Sequence, residues 1–245
     1  MSVPDIEAVL EGTTEEQHRA FHMCLKDSLA TMDQTLHFHN GKHTMNVFDS
    51  VLDFTSEMVF LSRNDVVMLS LVALLHDAGH SGISNHQHAI WNTSIYKIYG
   101  GVSTNEYMHA DIAITILRKH NMFNLFPSDI DEDMVRNIIL STDIMENSRY
   151  MKEIKKSSSR EHLYMLIIKA ADISHTIHNF EECSLWAKNI NAESGHIFDP
   201  QNEVKFISNI SIGLCARLLE MVPCDKFNNY LLQVRANIEC FETMI

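Results

Sequence analysis

The sequence predicts an all-α fold in a single compact, multi-helix domain. Only 8 glycines and 4 prolines interrupt the 245 residues, and apolar residues recur at three- and four-residue spacing. Strand-type alternation of β-branched residues is scarce. With 45% hydrophobic and 21% charged residues, the composition is that of a globular chain long enough to bury a large core. No repeat, low-complexity tract or linker divides the chain, so residues 1–245 read as one domain.

The elements follow in order. Thr14 and Gln17 resemble a capping box ahead of HRAFHMCLKDSLATM, the first helix. Val47, Val51, Phe54 and Met58 share one face of a second helix over 43–60. Asn64 is a candidate cap for DVVMLSLVALLHDAG, which is apolar nearly all round and therefore central. Further helices are predicted over 84–98, 105–120, 130–143, 159–173, 180–193, 203–221 and 226–243. Loops are predicted at Gly100-Gly101, at Phe126-Pro127-Ser128, and over 156–159 and 194–202.

Composition narrows the function. A net charge of −13 argues against a nucleic-acid or anionic-membrane partner, although bound divalent ions could outweigh it locally. The five cysteines are odd in number and lack CxxC spacing, which suggests buried thiols and a reducing compartment. MSVPDIEAVLEG has no secretory pattern, and the apolar stretch 66–75 is too short to span a bilayer. A cytoplasmic protein with no membrane-spanning segment is the expectation.

Four metal-seeking side chains sit at the ends of apolar segments: His43, the pair His76-Asp77, and Asp172. Two imidazoles and two carboxylates without cysteine suit divalent ions engaged in hydrolysis better than a structural zinc. His39 and His43 lie four apart, a weak signal among 15 histidines. His76 and Asp77 follow a buried helix, where polar groups need partners. A metal is one such partner; the other is the hydrogen bonding of a core histidine beside a capping aspartate. Asp172 ends a second apolar helix, and two acids brought together there require a cation or a proton between them. Gly79 and Gly82 fit turns in which the backbone passes close to the site.

These residues carry a family resemblance. His76-Asp77-Ala78-Gly79-His80 with Asn85 matches the signature HDxxHxxxxN, Phe38-His39-Asn40 with His43 resembles YHNxxH, and Ala171-Asp172-Ile173-Ser174 resembles ADxS. The chain thus resembles the catalytic domain of the class I cyclic-nucleotide 3′,5′-phosphodiesterases, of the HD superfamily. Weaker similarity runs through Thr142-Asp143 and Trp186 to the last helix. Much of the family's N-terminal helical subdomain is lacking, as expected of a fragment of a longer chain with regulatory domains upstream.

The resemblance implies hydrolysis of cAMP or cGMP to the 5′-monophosphate. It places His43, His76, Asp77 and Asp172 around a first ion, typically zinc. Asp77 bridges to a second, magnesium or manganese, whose waters are held by His80, Glu106 and His109. A hydroxide bridging the ions attacks phosphorus, His39 protonates the 3′-oxygen, and Glu193 orients His39.

In the base pocket the sequence departs from the family. Asn209 aligns with the purine-binding glutamine, and Ile190 and Ile212 with the apolar clamp. His175 stands where cAMP-selective members often carry asparagine, and Phe38 lies beside the pocket. The implied nucleotide site is weak or permissive. Two alternatives remain at this stage: another HD-type phosphohydrolase acting on a different nucleotide, and a catalytically silent cyclic-nucleotide-binding module.

Overall fold

A computed structural model describes residues 6–157 and 159–245. The first five residues of the N-terminal segment, and Ser158 in the predicted 156–159 loop, lie outside the described residues. Helices α1 (Ile6–Leu10) and α2 (Glu15–Ala30) open the fold. Thr14 caps α2 as predicted: its hydroxyl accepts the Gln17 N–H at 3.2 Å, while Gln17 Oε1 accepts the Thr14 N–H at 2.9 Å. Helix α3 (Gly41–Thr55) starts on an Asn40 cap and stops short of residue 60, leaving Met58 buried beyond its end.

Helix α4 (Arg63–Leu75) is capped by Ser62 and not by Asn64. Asp65 closes a box with Ser62, accepting its N–H at 3.0 Å, whereas Asn64 donates to the Pro127 carbonyl at 2.8 Å. An aspartate here does what the pattern seeks from glutamate or glutamine, which is why the neighbouring asparagine attracts the assignment. The predicted helix over 84–98 is two, α5 (Asn85–Trp91) and α6 (Ser94–Tyr99), because Asn92 turns left-handed at φ 48° and Thr93 caps anew.

Next come α7 (Thr104–Lys119), α8 (Met122–Leu125), α9 (Glu132–Leu140), α10 (Asn147–Lys156) and α11 (Arg160–Asp172). The sequence reading contains neither α1, α8 nor α10. In the last of these, the buried Tyr150, Met151 and Ile154 make a narrow stripe in an otherwise polar segment. A 3₁₀ turn (Ser174–Ile177) leads to α12 (Phe180–Glu193), α13 (Pro200–Phe206), a π-turn (Ile207–Ser211), α14 (Ile212–Met221) and α15 (Asp225–Glu242). The helix predicted over 203–221 therefore begins earlier, at Pro200, and carries a π-turn in its middle. No strand occurs among the described residues.

Residues 67–75 of α4 are fully buried, and α2, α3, α7 and α11 pack around them. Each large aliphatic side chain so buried contributes about 1.5–3 kcal/mol. The Ser28 hydroxyl donates to the Leu74 carbonyl, satisfying one orphan acceptor at the end of α4. Because α3 and α4 form a hairpin, the start of α3 meets the end of α4, and α11 packs against both. The five cysteines are free thiols, with Cys24, Cys183 and Cys215 buried. No helix among the described residues is long and apolar enough to cross a membrane.

Candidate active site

The site grows from helix ends. Asn40 Oδ1 accepts the N–H groups of Lys42 at 2.9 Å and His43 at 3.3 Å, fixing His43 in the first turn of α3. His76 forms the C-cap of α4 and Asp172 is the last residue of α11. Two helix C-termini therefore converge here, and their partial negative charge favours a cation. Gly79 and Gly82 make the intervening turns with φ of 82° and 73°. A Cβ at Gly79 would stand 2.7 Å from Ile112 Cδ1.

One atom each from His43, His76, Asp77 and Asp172 lies within 4.8 Å of the others. His43 Nε2 is 3.1 Å from Asp172 Oδ1 and 3.4 Å from Asp77 Oδ2; His76 Nε2 is 3.3 Å and 3.1 Å from the same two oxygens. His76 Nδ1 donates to the Ala73 carbonyl at 2.7 Å, so Nε2 turns a lone pair toward carboxylates that are themselves acceptors. His76 Nε2 and Asp77 Oδ2 have no hydrogen-bond partner. Lone pairs facing lone pairs in a buried site need a cation or a proton between them. The donor set fits a divalent ion of nitrogen and oxygen preference.

Burial pulls His76 down, but Asp77 and Asp172 outweigh it and lift the imidazole well above its ordinary value. Burial likewise opposes the charge on Asp77, yet His76 and His43 hold that carboxyl well below the usual range. Asp172 is also lowered, against burial, by His43 and His76. A cation would play the part that shared protons play here.

The remaining predicted residues form two flanks. On one, burial pushes His109 down to about 4, and its Nδ1 lies 3.7 Å from Asp77 Oδ1. His80 Nδ1 accepts the Gly82 N–H at 3.0 Å, and burial with nearby His39 keeps His80 well below its ordinary value. Burial and the neighbouring Asp143 push Glu106 up to about 7. Asn85 ties this flank together, donating to Glu106 Oε2 at 2.9 Å and accepting the Asn105 N–H at 2.7 Å.

On the other flank, Glu193 at the end of α12 grips the segment before α3. Its Oε2 accepts the N–H groups of Phe38 at 2.7 Å and His39 at 3.0 Å, and its Oε1 pairs with His39 Nδ1. Burial would raise Glu193, but His39 lowers it. The His39 ring stacks on His80 at 3.7 Å between centroids, beside His43 at 6.0 Å.

Asn209 is exposed on the π-turn, and Ile212 packs against the hydrophobic core. Phe206 is the ring that meets His175, at 6.3 Å and 12° between planes. Residues three apart share the face of an α-helix, but the π-turn after Phe206 breaks that register and takes Asn209 off it. Glu203, one turn before Phe206, is buried and accepts from Asn191 Nδ2 at 3.3 Å. Phe38 packs edge-on to His175 at 6.0 Å and to Trp186 at 5.5 Å. Ile190 is half-buried on α12. Burial pushes His175 down to about 3, so it is a neutral ring.

Sequence reasoning missed Phe206, Glu203 and Lys169. The last is a buried ammonium one turn before Asp172 that donates to the Ser141 carbonyl and is pushed down to about 8 by burial. The one signal for Lys169 was its place within an apolar run.

Comparison with known proteins gives a consistent picture. The family profile described as 3′5′-cyclic nucleotide phosphodiesterase matches residues 38–229. The 3′,5′-cyclic-nucleotide phosphodiesterase 2 of Saccharomyces cerevisiae is 26% identical over 171 residues, covering 67% of this chain and 32% of that protein. The human high affinity cGMP-specific 3′,5′-cyclic phosphodiesterase 9A is 29% identical over 167 residues, covering 61% and 28% respectively. The chain thus spans about a third or less of these relatives. Among solved structures, the phosphodiesterase domain of the RhoPDE fusion protein from the choanoflagellate Salpingoeca rosetta superposes with a TM-score of 0.82 at 19% identity. The match covers 96% of this chain and 86% of that one, and it establishes the likeness of fold.

Proposed function

Because this chain belongs to the 3′,5′-cyclic nucleotide phosphodiesterase family, we propose that it hydrolyses 3′,5′-cyclic nucleotides, cAMP or cGMP, to 5′-nucleoside monophosphates. The observation that carries this reading is the cluster of His43, His76, Asp77 and Asp172, with the His39–Glu193 pair set beside it. In the reaction a water oxygen bonds to phosphorus and the bond from phosphorus to the 3′-oxygen breaks. Two bound divalent cations supply Lewis acidity at the phosphate and a water acidified enough to act as nucleophile.

The chain's own residues do the rest. His43, His76, Asp77 and Asp172 hold a first, zinc-like ion. Asp77 would also serve a second ion, magnesium or manganese, with His80, Glu106 and His109 as the polar groups around it. Glu193, kept ionised by His39 and by two backbone donors, takes the Nδ1 side of that imidazole. His39 Nε2 is then the nitrogen that delivers a proton to the leaving 3′-oxygen. Phe206 and Ile190 flank the base with Phe38 and His175 at its edge, while Asn209 and Ile212 take no part. An aromatic ring at 206 removes the reason to expect a weak clamp. Residues 1–245 act as the catalytic domain of a longer, regulated chain, and the free thiols support a cytoplasmic setting.

Turnover of cAMP and cGMP, with and without chelator, tests the proposal. Metal-dependent hydrolysis is expected, lost on chelation and strongly reduced in His39→Ala at unchanged metal content. Metal-replete protein that binds cyclic nucleotide without turnover would instead be a silent binding module. Faster hydrolysis of 2′,3′-cyclic nucleotides, nucleoside triphosphates or guanosine tetraphosphate would assign another phosphohydrolase activity.

A further inference from the structure

A second group of metal-seeking side chains lies outside this site. His18 and His22 stand one turn apart on α2 and so share a face, with ring centroids 4.8 Å apart. Glu7 reaches them from α1 and divides its carboxylate between the two. Oε2 lies 2.9 Å from His18 Nε2, and Oε1 lies 3.7 Å from His22 Nε2. One ligand atom from each lies within 4.8 Å of the others.

We propose that Glu7, His18 and His22 form a second divalent-metal site, of zinc type, that clips α1 onto α2. The chemistry is that of an open site: two imidazole nitrogens and one carboxylate oxygen, with room left for water. The side chains are 36%, 42% and 73% exposed for His18, His22 and Glu7, so solvent can complete the coordination and metal can enter without unfolding. A simple ion pair would use one imidazole; here the second points to the other oxygen at a distance too long for a hydrogen bond. The clip has something to hold. Helix α1 spans only Ile6–Leu10, far below the length at which a helix is stable alone, and is anchored by the buried Val9 and Leu10. The site is independent of the hydrolytic reading, since it shares no ligand with the centre around His43.

The test is a zinc count on metal-replete protein equilibrated with Zn²⁺, read beside amide exchange in α1. His18→Ala/His22→Ala is expected to carry one zinc fewer, to hydrolyse substrate as the parent does, and to lose zinc-dependent protection of α1. Glu7→Gln should weaken this zinc by at least about tenfold, the lower bound for loss of even an outer-shell partner. Asp172→Ala, which removes a ligand of the main centre, should keep it. Equal zinc counts in the parent and the double variant would overturn the proposal, as would zinc held equally tightly after Glu7→Gln. Because Glu7 is exposed, that variant carries the test even if the double substitution proves unstable.

Discussion

The site has two sides made in different ways. Around His43 the two imidazoles are buried, the two carboxylates partly so, and all four side chains sit at or just past the ends of helices α3, α4 and α11. Around His175 the groups come from the 3₁₀ turn, from α12 and α13, and from the segment before α3. There they meet ring against ring, with a change of helical register just past Phe206. The contrast separates two kinds of specification. A partly buried carboxylate such as Asp172, facing a second acid, has few tolerable arrangements, because it must find a counter-charge where it lies. A half-buried ring has many, and its placement depends on how long the helix beneath it stays in phase.

Substitutions can break or sharpen this comparison. The largest effect is expected on the metal side: Asp77→Ala or Asp172→Ala should abolish hydrolysis and lower the metal content of the purified protein, measured by elemental analysis. Retained activity in Asp172→Ala would dissolve the distinction. Next, His39→Ala should lower kcat by about 10²–10⁴ with metal retained, because under the proposed function it removes the proton donor alone. Glu193→Gln should follow the same pattern to a smaller degree.

On the other side, Phe206→Ala should raise KM by about two- to tenfold, matching the roughly 0.5–1.5 kcal/mol of ring stacking, with kcat little changed. Asn209→Ala should leave both constants alone, and a rise in KM there to match Phe206→Ala would restore the alignment read from sequence. Gly79→Ala tests the turn that follows His76 and Asp77. Its positive φ and the approach of Ile112 Cδ1 predict a loss of about 1–2 kcal/mol or more, read as a lower Tm.

The smallest effects concern pH, and two glutamates, Glu193 and Glu203, should behave oppositely. Glu193 is held below its ordinary value by His39 despite burial. Its contribution to stability is therefore present above the ordinary carboxylate range and is lost as pH falls through its lower folded value. Burial raises Glu203, although Asn191 opposes the shift. Its native state holds a proton longer, so stability declines as pH rises from the ordinary value to the folded one and then levels off. Tm against pH should show Glu193→Gln less stable at neutral pH and Glu203→Gln more stable there. The two variants should approach the parent in acid.

The cap on α2, the buried α4 and the helical character of most segments follow from spacing that acts over a few residues. Hence Thr14 and Gln17 were legible, and so was the run from Val66 to Leu75. The gathering of His43, His76, Asp77 and Asp172 could be anticipated, since polar groups ending buried helices must find partners. The break at Asn92 depended on one residue entering a left-handed conformation that asparagine adopts as an option. Lys169 interrupts an apolar run, and the Ser141 carbonyl that receives it lies 28 positions away in the chain.

By itself, then, the amino-acid sequence determined the long helices and which polar groups had to be partnered, because hydrophobic period and the cost of burying charge are local properties of the chain. Tertiary structure alone decided how Glu193 grips the Phe38 and His39 backbone across the fold, that Phe206 meets His175, and that Glu7 reaches the histidines of α2. Those pairings depend on how helices dock and on one π-turn's shift of phase, and both are settled by packing between distant segments.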